Sequence, residues 1–331
     1  MKKDVKVAVF GGGSWATAIV KMLSERVETI GWYMRNVTAI DYIKEHNHNP
    51  NYLTSIEFKT EQLFLSNDIN EMVAYADIII LAIPSAFLNA ELEKLTTSLT
   101  SKTIFSAIKG IVPETGLIVG EHLNETYKIP FENIGVITGP CHAEEVAMER
   151  LSYLTIACQD EEKAKCLAEC LTSDYIFCKT SDDIIGSEYA AMLKNIYAIA
   201  AGIAHGLGYG DNYQAVLMSN AIREMKRYIK KIHKMKRNIN DSAYLGDLLV
   251  TGYSTFSRNR MFGNMIGKGY TVKSAMMEMK MVAEGYYAVK SAYEINQVNG
   301  ARTPIIDAVY SIVYEGKSPK KYFKILSENL D

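Results

Sequence analysis

The sequence predicts a doubly wound, mostly parallel α/β sheet followed by an all-α domain. Over roughly the first 180 residues, strand-like and helix-like segments alternate, as they do when parallel strands are joined by helices. The run Asp77–Ile83 is apolar apart from its first residue, as expected for a central strand covered on both faces. After about Ser181 the strand signals fade and long helical patterns dominate. A chain of 331 residues is long enough for about two domains, which we place at residues 1–183 and 184–331.

The first domain is predicted from apolar runs rich in β-branched residues, with helical periodicity between them. The predicted strands are Val5–Phe10, Thr29–Tyr33, Asp77–Ile83, Thr103–Ile108, Ile134–Thr138, Tyr153–Cys158 and Tyr175–Cys178. The predicted helices of this domain are Ser14–Glu25, Ala86–Leu99 and Glu161–Leu171. In the second domain, Ile185–Gly206 is apolar almost all round and predicts a buried central helix. Asn212–Arg237 is amphipathic, and Thr271–Asn299 predicts another long helix.

Charge and cysteine content narrow the class of protein. The formal net charge of -2 gives no overall attraction to nucleic acid or to an anionic membrane. No stretch approaches the roughly 18 apolar residues of a membrane span. The five cysteines are odd in number and contain no CxxC pair, which disfavours a disulfide framework and a zinc site. The cysteines are Cys141, Cys158, Cys166, Cys170 and Cys178. We therefore expect a cytoplasmic protein that holds no metal ion.

A glycine-rich turn follows the first strand and opens the first helix. Gly11 permits a tight turn, Gly13 lets the backbone approach a pyrophosphate, and Ala16 keeps the helix close to the strand. The helix that begins at Ser14 presents free N–H groups and its positive dipole end to phosphates. In an α/β chain this G-x-G-x-x-A pattern predicts a Rossmann-type dinucleotide-binding domain.

The end of the second strand bears on which dinucleotide is bound. Folds specific for NAD place an acid there, against the ribose 2′-hydroxyl. The segment Trp32–Asn36 contains no acid and carries Arg35, which suits a 2′-phosphate. The sequence therefore favours NADPH, or use of both NADP and NAD.

The chain also contains lysines in unusual places. Lys109 stands between an apolar strand and a glycine, and Lys194 lies within an apolar helix, where desolvation lowers the pKa of a lysine. Such a lysine suits a general acid or base near neutral pH. Asp247 could orient it, and the run Ser257-Arg258-Asn259 offers donors for a phosphate.

Taken together, these motifs resemble the NAD(P)-dependent glycerol-3-phosphate dehydrogenases of the bacterial cytosolic type. The resemblance spans essentially the whole chain, and the order and spacing of its motifs agree. Its elements are Gly11–Ala18 (GGGSWATA), Asn49–Leu53, Ser106–Gly110, Gly139–Val146, Glu188–Gly202 (EYAAMLKNIYAIAAG), Gly246–Leu248, Ser257–Asn259 and Val282–Gly285.

The resemblance implies reversible reduction of dihydroxyacetone phosphate to sn-glycerol 3-phosphate, supplying glycerophospholipid synthesis, by a homodimer. It implies that Lys194 exchanges the proton, with Lys109 and Asp247 as the other catalytic residues. The implied substrate-binding residues are Lys109, Gly139, Cys141, Lys194, Asn195, Asp247, Thr251, Ser257, Arg258 and Asn259. The implied cofactor-binding residues are Gly11, Gly13, Ser14, Trp15, Ala16, Arg35, Tyr52, Lys109, Ala143, Arg258, Val282 and Glu284.

Two segments differ from the family motifs, and a third has no counterpart among them. Cys141-His142 replaces the usual Ser/Thr-Phe, and a thiol is a weaker donor than a hydroxyl. Asn240–Leu245 replaces a glycine-rich loop. Lys226–Arg237 is strongly basic; a solvated helix face accounts for it better than a nucleic-acid patch, given the net charge.

Two other functions compete with this hypothesis. A hydroxyacid or 6-phosphogluconate-like dehydrogenase also joins an α/β nucleotide domain to a helical domain with a catalytic lysine. The Ser257–Asn259 run and the Lys109 loop favour glycerol 3-phosphate instead. A catalytically silent NAD(P)-binding sensor would not need the two lysines and Asp247.

Overall fold

The computed structural model describes residues 5–279 and 283–330. It divides into two compact units. The residues up to Ile108 and Val112–Ile184 form the first, and Lys109–Ile111 joins the residues from Ile185 onward in the second. The placement of Lys109–Ile111 in the second unit was not anticipated from the sequence, which offers no composition change there.

The first unit contains an eight-stranded sheet in the order β10-β9-β8-β5-β4-β1-β2-β3. Its strands are β1 Val7–Phe10, β2 Ile30–Tyr33, β3 Leu63–Ser66, β4 Ile78–Leu81, β5 Thr103–Ser106, β8 Ile134–Thr138, β9 Ser152–Cys158 and β10 Ile176–Ser181. Two short strands, β6 Ile111–Val112 and β7 Leu117–Ile118, lie outside it. Every neighbouring pair in the sheet is parallel except β8 and β9. The predicted mostly parallel α/β fold is confirmed.

Seven helices connect these strands. They are α1 Ser14–Ser24, α2 Val37–His46, α3 Ile69–Tyr75, α4 Ser85–Leu92, α5 Val119–Tyr127, α6 Ala143–Ala147 and α7 Glu161–Leu171. Single 3-10 turns occur at Thr60–Gln62 and Phe131–Asn133.

The core lies on both faces of the sheet, which explains the continuous apolar runs. In β1, Val7 and Val9 belong to one hydrophobic cluster, while Ala8 and Phe10 belong to the cluster on the opposite face. The residues of β4 alternate between the same two clusters. Because successive side chains of a strand point to opposite faces, a strand buried on both sides must be apolar throughout.

Two features of this unit differ from the prediction. Helix α4 ends at Leu92 rather than Leu99, because the backbone N–H groups of Thr96 and Thr97 donate to the Asn70 side chain instead of continuing the helix. Strand β3 was not predicted, since it is only four residues long and none of its apolar residues is fully buried.

The second unit is helical, as predicted. Its helices are α8 Ile184–Gly206, α9 Asp211–Ile232, α10 Asp247–Tyr253, α11 Arg258–Gly267, α12 Val272–Glu278, α13 Glu284–Asn299, α14 Pro304–Val313 and α15 Pro319–Ser327. A π-helical turn, Ser242–Gly246, leads into α10. No helix within residues 5–279 and 283–330 has the length and apolar character needed to cross a membrane.

Two predicted helices of this unit are shorter than expected. Helix α9 stops at Ile232, because the buried positions that anchor it, such as Tyr228 and Ile229, give way to the polar run that follows. The predicted helix Thr271–Asn299 is two helices, since Met279 and Ala283 both have extended backbones.

Candidate active site

The glycine turn after β1 is built for close backbone approach. Gly11 has a φ of 133°, in the region that favours glycine, and its N–H donates to the Tyr33 carbonyl oxygen over 3.0 Å. A Cβ atom at Gly11 would overlap the Ala82 carbonyl oxygen. The turn therefore requires glycine at its first position, as the sequence pattern predicts.

Helix α1 leaves its first turn open toward a ligand. No side chain caps the helix at Gly13, and a Cβ atom there would meet no atom within 4 Å. Ala16 is fully buried in the core beneath the turn. Backbone N–H groups at an uncapped helix start are partners for a pyrophosphate. These residues fit the dinucleotide that the sequence predicts.

Two buried side chains that sequence reasoning missed hold this turn in place. The Trp32 indole N–H donates to the Gly11 carbonyl oxygen over 2.7 Å. The Asn49 amide donates to the Gly12 carbonyl oxygen over 3.2 Å and to the Thr17 hydroxyl over 2.9 Å, and its oxygen accepts the Tyr52 N–H. Asn49 belongs to the motif Asn49–Leu53, within which the resemblance assigns a role to Tyr52 only.

Arg35 lies just beyond β2 with its side chain 60% exposed. Its guanidinium carbon stands 5.6 Å from the centre of the Phe87 ring, and one of its nitrogens lies 3.4 Å from the Glu91 carboxylate. The Tyr33 hydroxyl also donates to Glu91, over 2.6 Å. Burial and the Glu91 carboxylate raise the pKa of Tyr33, which keeps its proton on the donor.

The remaining predicted residues of the first unit follow strand ends or helix starts. Gly139 follows β8 directly and has a φ of 114°, and a Cβ atom there would lie 2.6 Å from the Tyr153 carbonyl oxygen. Cys141 and Ala143 are buried. Ser14, Trp15 and Tyr52 are partly buried.

A buried lysine–aspartate pair dominates the second unit. Lys194 of α8 donates to the carboxylate of Asp247, the first residue of α10. The two residues are 4% and 1% exposed. Lys109 brings its ammonium nitrogen to 4.0 Å from the other carboxylate oxygen. Asp247 therefore faces two lysines, and the three predicted catalytic residues lie together.

The electrostatics of this cluster suit proton exchange. Burial lowers the pKa of Lys194, the Asp247 carboxylate opposes that effect, and the Lys109 charge adds to it, leaving the pKa at about 7. A lysine with such a pKa can give up or take a proton near neutral pH. Burial raises the pKa of Glu284, against the influence of Arg258, Lys109 and Lys194, so Glu284 belongs to the same charged neighbourhood.

Neighbouring amides tie the helices of the cluster together. The Asn195 amide donates to the Lys109 carbonyl oxygen over 3.0 Å. The Asn259 side-chain oxygen accepts the Gly285 N–H over 2.9 Å, which links the starts of α11 and α13. A Cβ atom at Gly285 would lie 2.7 Å from the Asn195 carbonyl oxygen. The predicted residues Asn195 and Asn259 thus also fix the backbone around the lysines.

Glycines set how closely α11 packs on α8. A Cβ atom at Gly202 would overlap the Arg260 carbonyl oxygen, and one at Gly263 would overlap the Ile199 carbonyl oxygen. Backbone contact between the two helices fixes the position of Arg258 and Asn259, in the first turn of α11, relative to the helix that carries Lys194.

The last predicted residues make local bonds. The Thr251 hydroxyl donates to the Asp247 carbonyl oxygen over 2.6 Å. The Ser257 hydroxyl oxygen accepts the Arg260 N–H over 3.3 Å and caps α11, while Arg258 is exposed. Val282 lies outside the residues that the structure describes. Among the residues it does describe, no three His, Cys, Asp or Glu side chains are grouped so as to hold a metal ion.

Comparison with known proteins follows the same division of the chain. The profile of the NAD-dependent glycerol-3-phosphate dehydrogenase N-terminus matches residues 6–164, and that of the C-terminus of the same family matches residues 183–324. A glycerol-3-phosphate dehydrogenase [NAD(P)+] of Exiguobacterium sp. is 37% identical over 322 residues, covering 97% of this chain and 94% of its own. Its counterpart from Staphylococcus epidermidis is 34% identical, covering 98% of both chains.

A solved structure is also similar over the full length. The crystal structure of glycerol-3-phosphate dehydrogenase from Coxiella burnetii superposes with a TM-score of 0.89 at 27% identity, covering 98% of this chain and 99% of its own. Both halves of the sequence, and the fold that they adopt, match one family. The chain belongs to the NAD-dependent glycerol-3-phosphate dehydrogenase family.

Proposed function

We propose that this chain is an NAD(P)-dependent sn-glycerol-3-phosphate dehydrogenase that reversibly reduces dihydroxyacetone phosphate. The observation that carries the proposal is the buried cluster of Lys194, Asp247 and Lys109 in a chain of this family. The relatives named glycerol-3-phosphate dehydrogenase [NAD(P)+] support the substrate and both cofactors.

Lys194 is the proton-exchanging group in this proposal. The bound nicotinamide supplies or accepts the hydride at the substrate carbon. In reduction the carbonyl oxygen gains negative charge, and the Lys194 ammonium stabilises that charge and then donates its proton to the oxygen. In oxidation the neutral amine takes the proton back. A pKa lowered by burial to about 7 makes both forms accessible near neutral pH.

Asp247 and Lys109 position and tune Lys194. Asp247 holds the lysine by a hydrogen bond and supports its charged form, while Lys109 provides a second positive charge beside the same carboxylate. Arg258, Asn259 and Ser257 at the start of α11 are the proposed ligands of the substrate phosphate. Arginine suits this task because its guanidinium can donate two hydrogen bonds to a phosphate.

The proposed cofactor site lies in the first unit. Gly11, Gly13, Ser14 and the buried Ala16 form the turn and helix start that receive the pyrophosphate, and Arg35 faces a 2′-phosphate. Open space at Gly13 and the uncapped start of α1 support this assignment.

Cytoplasmic location and a homodimer complete the proposal. The location rests on the cysteines, none of which forms a disulfide in the described part of the chain. The homodimer rests on the family resemblance alone.

A substrate comparison tests the proposed reaction. The purified chain is given NADPH or NADH with dihydroxyacetone phosphate, a 2-keto acid, or the oxidation product of 6-phosphogluconate together with the bicarbonate that its reduction consumes, and nucleotide fluorescence is followed. We expect oxidation of the nucleotide with dihydroxyacetone phosphate only. Turnover of another carbonyl compound without it would support the hydroxyacid or 6-phosphogluconate-like alternative. Nucleotide binding without turnover of any compound would support a sensor.

A further inference from the structure

Glu91 is a buried carboxylate with no role in the proposed chemistry. It lies in α4 and is 2% exposed, yet three side chains from the first unit bind it. The Tyr33 hydroxyl donates to it over 2.6 Å, the Lys94 ammonium approaches both of its oxygens at 3.0 and 3.1 Å, and an Arg35 nitrogen lies 3.4 Å away. A buried carboxylate that binds the proposed 2′-phosphate residue calls for a functional explanation.

The arrangement offsets part of the charge of Arg35. Glu91 is too deeply buried to contact a ligand, so any effect on ligand binding must pass through the residues that it touches. Arg35 turns one edge toward Glu91 while its side chain stays 60% exposed beside Phe87. A guanidinium has five donors, so those not facing Glu91 remain available to an anion.

We propose that Glu91 restrains the preference of this chain for 2′-phosphorylated cofactors and so keeps NAD and NADP both usable. This inference rests on the proposed function, in which Arg35 faces the 2′-phosphate. A fixed negative charge on one edge of a guanidinium repels a phosphate dianion on the other, whereas an unphosphorylated ribose carries no charge to repel. The effect is therefore selective for the phosphorylated cofactor.

The size of the effect follows from two opposing contributions. A unit charge removed from the far edge of the guanidinium changes the affinity for a dianion by about tenfold at a dielectric between those of protein and water. Glu91 also orients Arg35, but a partly exposed pair of this kind contributes no more than about threefold to fivefold. Repulsion outweighs orientation, so neutralising Glu91 should raise the preference for the phosphorylated nucleotide by roughly twofold to tenfold.

The test uses two nucleotide probes and needs no turnover. Calorimetry gives the affinity of the full chain for 2′,5′-ADP and for 5′-AMP, and the ratio of the two is the readout. Glu91→Gln should raise the ratio about twofold to tenfold with the 5′-AMP affinity unchanged. Glu93→Gln, at an exposed acid two residues further along the chain whose partner is Asn89, should leave the ratio unchanged. In an Arg35→Gln background, Glu91→Gln should no longer matter.

An unchanged or lower ratio in folded Glu91→Gln would overturn the inference. If that variant does not fold, Lys94→Met takes its place, because Lys94 is half exposed and its loss removes a positive charge that offsets the Glu91 carboxylate. The ratio should then fall by about twofold to threefold, and no change would overturn the inference. Failure of the wild type to bind either nucleotide would instead refute the proposed cofactor site itself.

Discussion

Replacing Asp247 with asparagine should shift the pH dependence of the enzyme to lower pH. Lys194 and Asp247 are 4% and 1% exposed, and burial is the largest influence that lowers the pKa of the lysine. The Asp247 carboxylate is the main influence that opposes it. The substitution keeps the shape of the side chain and an oxygen acceptor but removes the charge that favours the ammonium form of Lys194.

The magnitude follows from the burial of the pair. Hydrogen bonds to charged groups contribute about 1.5–3 kcal/mol, and breaking a buried ion pair costs about 3–5 kcal/mol. A value of about 3 kcal/mol corresponds to roughly two pKa units. The pKa of Lys194 would therefore fall further below its ordinary value, by roughly the two units that this energy represents. At neutral pH, close to the wild-type pKa, the protonated fraction of the lysine would fall from about half to about 1%, so reduction should slow by roughly fiftyfold.

The assay is the pH profile of kcat/KM for reduction of dihydroxyacetone phosphate. Reduction needs the ammonium form of Lys194, so the wild-type rate should fall as the pH rises through the pKa of that lysine. In Asp247→Asn the same fall should occur at a pH about two units lower. Asp241→Asn, an exposed acid that lies near α10 in sequence, serves as the control and should keep the wild-type profile. A wild-type profile and rate in folded Asp247→Asn would refute the reasoning.

Three further substitutions test other parts of the account. Arg35→Ala should weaken NADPH binding by about tenfold and NADH binding much less, as measured by fluorescence titration; equal losses would remove Arg35 from the 2′-phosphate. Gly263→Ala places a Cβ against the Ile199 carbonyl oxygen and should lower the free energy of unfolding in urea by about 1–3 kcal/mol. Gly210→Ala adds its Cβ in open space, so it should show only the smaller cost, about 0.5–1 kcal/mol, of alanine at the N-cap of α9. Glu224→Ala removes the carboxylate that accepts the Ile305 and Ile306 N–H groups and should lower the free energy of unfolding by about 2–5 kcal/mol. Its control, Glu315→Ala at an exposed position, should change that free energy very little. Burial raises the pKa of Glu224 to about 8. The contribution of Glu224 to the free energy of unfolding should therefore decline as the pH rises from the ordinary carboxyl range to about 8. The Glu224→Ala variant should lack this decline.

Features set by local sequence were predictable. The turn at Gly11 requires a positive φ and close contact with the Ala82 carbonyl oxygen, and only glycine allows both. The strand β4 and the helix α8 are buried on all sides, so their apolar runs identified them. Lys194 was conspicuous for the same reason, because a charged residue inside an apolar helix needs a partner.

Features set by distant contacts were not predictable in the same way. The antiparallel pairing of β8 with β9 depends on the chain reversing direction between them, and either orientation suits an apolar strand. Asn49 reaches the glycine turn across 37 positions of sequence, and Glu91 reaches Tyr33 across 58. Neither partner is marked by spacing or periodicity. The early end of α4 is similar, since the Asn70 side chain that captures Thr96 and Thr97 lies on another element.

Turnover of the Lys194→Ala variant tests the central claim most directly. The variant and the wild type are compared for reduction of dihydroxyacetone phosphate by NADPH, with nucleotide binding measured on the same samples. Lys230→Ala, an exposed lysine of the basic stretch, is the matched control. We expect Lys194→Ala to lose about a thousandfold or more in kcat with nucleotide affinity intact, while Lys230→Ala turns over normally. Turnover by folded Lys194→Ala within a fewfold of the wild type would contradict the account.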